Sequence, residues 1–228
     1  MGVPFGQNYE ALLERRLNEE HGGSRYQRFE ILTFSVSGYR ITQLADLASV
    51  KVNRFQPDAY FPALTDFVFR DWANHIWSLI DQGIDLKYEP LRDVVRRSGA
   101  SREIGEAESR KRLQPYRLEV TRWVLQHIQK AAGPGVPVVI ILTPTSDEQE
   151  VLERRFYSTK RLLQEFDFPV VDLLDTFDRV PDLVALRLAP MDHHFNAEGH
   201  RVLFERLYRK LRENPEAWTS VVGSEFAE

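Results

Sequence analysis

Cysteine is absent from the 228 residues. Disulfides and thiolate-ligated metals are therefore excluded, while the compartment stays open. No run approaches the ~20 apolar residues of a membrane span, so no transmembrane segment is expected. Residues 1–9 have neither a basic start nor an apolar stretch, so no signal peptide is read there. An excess of one charge is missing too: 30 Lys and Arg stand against 34 Asp and Glu, a net charge of -4. That balance gives no general reason to expect nucleic acid or an acidic membrane surface as partner. Internal repeats and low-complexity tracts are absent, and no pattern speaks to oligomeric state. What is present is core-forming material. Hydrophobic residues make up 43% and aromatics 11%, enough for one large domain with a sizeable interior.

Along the chain, helical and strand patterns alternate. Residues 7–20 place Tyr9, Leu12, Leu13 and Leu17 on one helical face and Glu10, Glu14, Arg15 and Glu19 on the other. Residues 29–36 are rich in β-formers and read as a strand. Residues 42–55 read as a helix, 59–64 as a short strand and 67–79 as a helix. Residues 84–115 are charged and weakly periodic, and read as an insertion or mobile flap, or else as a solvated helix with some loop. A helix resumes at Tyr116 and is stopped by Gly133-Pro134-Gly135. Residues 136–142 form a near-continuous β-branched run, as a parallel strand covered on both faces requires. A helix over 147–166, a last strand over 168–173, an irregular stretch or short helix over 175–188 and a helix over 197–211 complete the order, and the tail after Pro215 reads as peripheral. The alternation predicts a three-layer α/β/α domain with a parallel sheet. Chemistry is expected where such strands end, in the loops 37–39, 64–66, 143–146 and 192–196.

The last of these loops carries Asp192-x-His194-x-Asn196, with Gly199 and His200 just beyond. An imidazole acts as general base only in the right tautomer and orientation, and a nearby carboxylate supplies both. Asn196 can cap the following helix. The plain alternative is a pair of surface residues ahead of a capped helix. His193 is the rival histidine, and His200, inside the helix, reads as structural.

The block Asp192-His193-His194-Phe195-Asn196-Ala197-Glu198-Gly199-His200 resembles the final motif of the SGNH (GDSL-type) hydrolases, Asp-x-His-Pro-Asn-x-x-Gly-His, with Phe195 in place of the proline. Residues 170–174 are similar to that family's last strand, and residues 34–39 to its second block. The resemblance implies a flavodoxin-like fold and an esterase acting on acyl esters of lipids or carbohydrates, with no metal and no cofactor. It implies His194 as base, Asp192 as its orienter and the Gly38 N–H as one oxyanion donor. Departures also stand out. Thr65 occupies the place of the family's oxyanion asparagine and Phe61 that of its glycine. The nucleophilic Gly-Asp-Ser block is missing; Ser37 is a weak substitute, and no serine lies in a Gly-x-Ser-x-Gly elbow. The helix over 9–14 looks like the one that follows the nucleophile in the family. Two readings result: an esterase whose serine lies upstream of Met1, or a catalytically inactive binding or scaffold domain. The strand that would carry the serine belongs between residues 29–36 and 59–64. Without it, those two are expected to pair directly or to leave the chain poorly soluble.

Overall fold

The structure, a computed structural model, describes residues 2–23, 26–146 and 149–223. The centre of the fold is a three-stranded parallel sheet in the order β1-β2-β3, formed by β1 (Ala63–Leu64), β2 (Ile140–Leu142) and β3 (Val170–Asp172). Ala63 lies opposite Ile141, and Ile140 opposite Val170. An isolated parallel bridge from Tyr60 to Val138 extends the first pair toward its N-terminal end. All three β2 residues are buried, because this strand is paired on both sides and covered on both faces.

Helices lie on those two faces. Val138, Ile140 and Leu142 point into one core and Val139 and Ile141 into the other, the period-two alternation of a pleated strand. The second core is closed by α1 (Tyr9–His21), α9 (Ala197–Glu213) and α10 (Pro215–Val222). The first is closed by α2 (Ile41–Asp46), α3 (Asp66–Arg70), α4 (Trp72–Gln82), α5 (Glu89–Ser98), α6 (Gly105–Leu113), α7 (Arg117–Ala132) and α8 (Gln149–Leu163). The protein is thus mixed α/β with a parallel sheet. A two-stranded antiparallel hairpin, β4 (Arg187–Ala189) and β5 (Asp192–Phe195), stands apart from the sheet.

Local chemistry explains the element boundaries. Asn8 caps α1 by accepting from the Ala11 N–H at 2.9 Å, which satisfies one of the orphan donors of a helix start. Asn214 caps α10 in the same way, with Pro215 at its first turn. Gly199 is required in α9, because a Cβ there would stand 2.9 Å from both the Leu186 carbonyl oxygen and the Phe195 Cβ. The helix can press onto the hairpin only with a hydrogen in that place.

Two expectations are corrected, and two are sharpened. Residues 29–36 form no strand. They do not pair with residues 59–64 either: Phe29 is buried against the α1 face, but Leu32 and Val36 are exposed. Residues 84–115 take the second of their two readings, helix with some loop. They hold α5 and α6, whose Leu91, Val94 and Leu113 are buried in the first core. Their charges pair along the helix surface, as Arg112 does with Glu108. The tail is not peripheral, since Ala217, Trp218 and Val222 of α10 are buried. The stretch 175–188, read as irregular or short helix, holds a short helical turn at Val184–Leu186 and ends in the first strand of the hairpin. Residues 147–148, where the sequence places the start of α8, lie outside the described residues.

Candidate active site

The hairpin presents the acid and the histidine together. Asp192 and His194 are two apart on β5, so both side chains leave the same side of the strand. Asp192 Oδ1 accepts from the His194 backbone N–H at 3.0 Å and stands 2.6 Å from His194 Nδ1. With the ring proton on Nδ1, the imidazole donates to the carboxylate and leaves Nε2 as an acceptor. The His194 side chain is 64% exposed, and among the described residues nothing else bonds its ring. The His194 N–H, then the His194 ring, hold the Asp192 carboxyl below its ordinary value of 3.8. An exposed pair of this kind adds little stability; its content is orientation.

The hairpin is itself pinned. Asn196 Oδ1 caps α9 by accepting from the Gly199 N–H at 3.0 Å, while its Nδ2 donates to the carbonyls of Ala185 and Arg187. Phe195, where the SGNH pattern has proline, packs on Phe177 with centroids 4.7 Å apart. His200 accepts the Tyr9 N–H at Nδ1 and stacks on the Tyr9 ring. Burial pushes its pKa below the ordinary histidine value. This is a structural histidine that ties α9 to the start of α1.

Two residues that sequence reasoning did not single out fix where the hairpin sits. Arg187 donates through Nε to the Ser146 hydroxyl at 3.1 Å, through a terminal nitrogen to the Ser146 carbonyl at 2.9 Å, and through the other to the Pro190 carbonyl at 3.1 Å. Ser146 is buried, and its hydroxyl also reaches His193 Nδ1 and the His193 carbonyl, both at 3.2 Å. His193 therefore belongs to the anchoring of the hairpin. Ser146 follows β2 at its carboxyl end, so these bonds hold Asp192 and His194 at the edge where the strands finish. The loop 143–146 was one of the four expected at that edge. Arg187 carried no local signal, because its anchoring partner Ser146 is 41 residues away in sequence.

The remaining candidates lie on other loops. Gly38 has a φ of +84°, a left-handed turn that favours glycine, and open space where a Cβ would go. Its carbonyl accepts from Arg40 at 3.0 Å. Ser37 is exposed and touches no histidine. Thr65 precedes α3 without a side-chain cap bond. Beside it, Asp66 is buried and pairs with Arg155 at 3.2 Å and Arg70 at 3.4 Å. Among the described residues no hydrogen bond or ion pair joins Gly38, Thr65 or Ser37 to Asp192 or His194. Among the described residues no group of three or more His, Cys, Asp or Glu could hold a metal ion. No helix among them is long and apolar enough to cross a membrane. No family model, curated protein or solved structure matches this chain.

Proposed function

We propose that this chain is an SGNH-type ester hydrolase domain of three-layer α/β/α form, working by a Ser-His-Asp mechanism in which His194 is the base and Asp192 its orienter. The observation that carries the reading is the 2.6 Å contact of Asp192 with His194 Nδ1 on a pinned hairpin at the carboxyl edge of the sheet. It leaves Nε2 open to solvent and correctly paired behind. The serine hydroxyl attacks the ester carbonyl, forming a C–O bond as its proton passes to His194 Nε2. Collapse of the tetrahedral intermediate breaks the bond to the alcohol, which leaves with that proton. Water, deprotonated by the same nitrogen, then releases the acid and restores the serine. Asp192 orients the ring and stabilises it when charged. The Gly38 N–H and the Thr65 hydroxyl are the proposed oxyanion donors. Substrates are acyl esters of small molecules, lipids or glycans, and no metal or cofactor takes part.

Hydrolysis of p-nitrophenyl acetate tests this. The chain as given is expected to turn over near background. The same chain carrying an upstream strand that ends in Gly-Asp-Ser is expected to be active, and to lose about 10³–10⁴-fold on His194→Ala. Robust turnover by the unextended chain that survives Ser37→Ala but not His194→Ala would show the nucleophile to be misplaced. A second reading, a non-catalytic binding or scaffold domain, is favoured by Thr65 and Phe61 standing where the family has asparagine and glycine. It predicts an inactive extended chain.

A further inference from the structure

We infer that Ser49 and His127 form a second nucleophile–base pair, which takes an acyl group from an activated ester onto the Ser49 oxygen and holds it there. The pair stands on helices that close the first core, whereas Asp192 and His194 stand on the hairpin. It is independent of the hydrolase reading above.

The backbone around Ser49 is unusual. Past α2 the helix widens into one π-turn, Leu47–Lys51, in which the Val52 N–H reaches back five residues to the Leu47 carbonyl. Such turns are rare and often lie at functional sites. This one packs against α7, where Asn53 also donates to the Ala131 carbonyl at 2.8 Å. Ser49 Oγ stands 2.5 Å from His127 Nε2. With the ring proton on Nδ1, Nε2 accepts from the hydroxyl. The usual resting place for a helical hydroxyl is a carbonyl three or four residues back. Ser98, Thr121 and Ser220 follow that habit and donate to the carbonyls of Val95, Arg117 and Glu216. Among the described residues, the Ser49 hydroxyl bonds only an imidazole 78 residues away.

The surroundings of the imidazole fit it for use as a base. The rings of Tyr88 and Trp123 pack on it with centroids 5.1 Å and 5.5 Å away, which fixes its plane. Burial pushes the His127 pKa below the ordinary histidine value, so the ring is neutral and able to take a proton at neutral pH. The Asp46 carboxylate works the other way and favours the charged ring, while Lys87 and Lys130 add to the effect of burial. Asp46 is held in place by the Tyr88 hydroxyl at 2.7 Å and by Lys87 Nζ at 2.8 Å. It therefore stabilises the imidazolium that forms when Ser49 gives up its proton. Ser49 and His127 are half-buried, so part of each stays within reach of solvent. Half-buried Tyr88 and Trp123 and exposed Val50 offer apolar surface to an aryl ester.

In the reaction, the Ser49 oxygen attacks the ester carbonyl and forms a C–O bond as its proton passes to His127 Nε2. The tetrahedral intermediate collapses, the bond to the alcohol breaks, and the alcohol leaves with that proton. The acyl group stays on Ser49. Main-chain N–H groups inside a helical run are committed to carbonyls of the same run, so none is aimed at the oxyanion. Lack of one such donor typically costs about 10²–10³ in rate. Only an activated ester is therefore expected to acylate Ser49, and water is expected to release the acyl group slowly.

The test is incubation of the intact chain with p-nitrophenyl acetate, followed by peptide mapping in a mass spectrometer. An acetyl group is expected on Ser49, with about one more equivalent of p-nitrophenol released in a burst than from Ser49→Ala. His127→Gln is expected to slow acetylation of Ser49 by at least about 100-fold. The chain has no cysteine, which allows a second measurement that leaves His127 in place. Ser49→Cys is expected to react with iodoacetamide at least about tenfold faster than Ser220→Cys, although both positions are half-buried in helical runs. An unacetylated Ser49 in a folded chain overturns the inference. So does acetylation of Ser49 that survives His127→Gln undiminished, or equal reactivity of the two cysteines.

Discussion

β2 and residues 29–36 are both rich in β-forming residues and have opposite fates. β2 reads Ile-Ile-Leu, and residues 29–36 read Phe-Glu-Ile-Leu-Thr-Phe-Ser-Val. β2 is buried on every residue, bonded to β1 on one side and β3 on the other. Residues 29–36 carry no ladder, and leave Leu32 and Val36 in solvent. β-propensity describes fitness for a pleated, half-buried surface, and that surface exists only where a neighbour provides it. The hairpin is an intermediate case, since β4 and β5 pair only with each other and depend on side chains to hold their place.

The comparison is broken most directly in β2. Ile140 is fully buried, and Ile140→Ala should cost about 2–5 kcal/mol through lost transfer and the cavity left behind, read from urea denaturation. In the hairpin, Asn196→Ala removes a helix cap and two bonds to carbonyls. A loss of about 1–2 kcal/mol is expected, with faster amide exchange across β5. Acid should also act through the packed regions. Burial lowers the pKa of His75, His127 and His200 in the folded chain. The unfolded chain then binds protons first, so stability is full above about pH 6.5 and declines as pH falls below it. Thermal melts between about pH 7 and pH 5 check this, and a flat Tm across that range would contradict it. The smallest effect is expected for Leu32→Ala, within about 0.5 kcal/mol. A cost as large as that of Ile140→Ala would mean that residues 29–36 are already paired in solution.

The parts legible in the sequence are those whose partners are close by. Asp192 and His194 share one face of one strand, and Asn196 caps the helix it precedes. Residues 136–142 announced a strand buried on both faces because seven neighbours carried the signal together. The corrected and sharpened parts depend on distance. The charges of residues 84–115 concealed Leu91, Val94 and Leu113, which are covered by packing from other helices. Arg187 gave no hint of its role because Ser146 comes from another loop.

The sequence by itself determined the alternation of helix and strand, the Asn196 cap, and an acid and a histidine placed to share one proton. These follow from periodicity and from bonds that span a few residues. Tertiary structure alone decided that the hairpin stands at the carboxyl edge of the sheet, held there by Arg187, and that residues 29–36 remain unpaired beside an open β1. A hydrogen-bond ladder needs two backbones side by side, and no single stretch of sequence contains the second one.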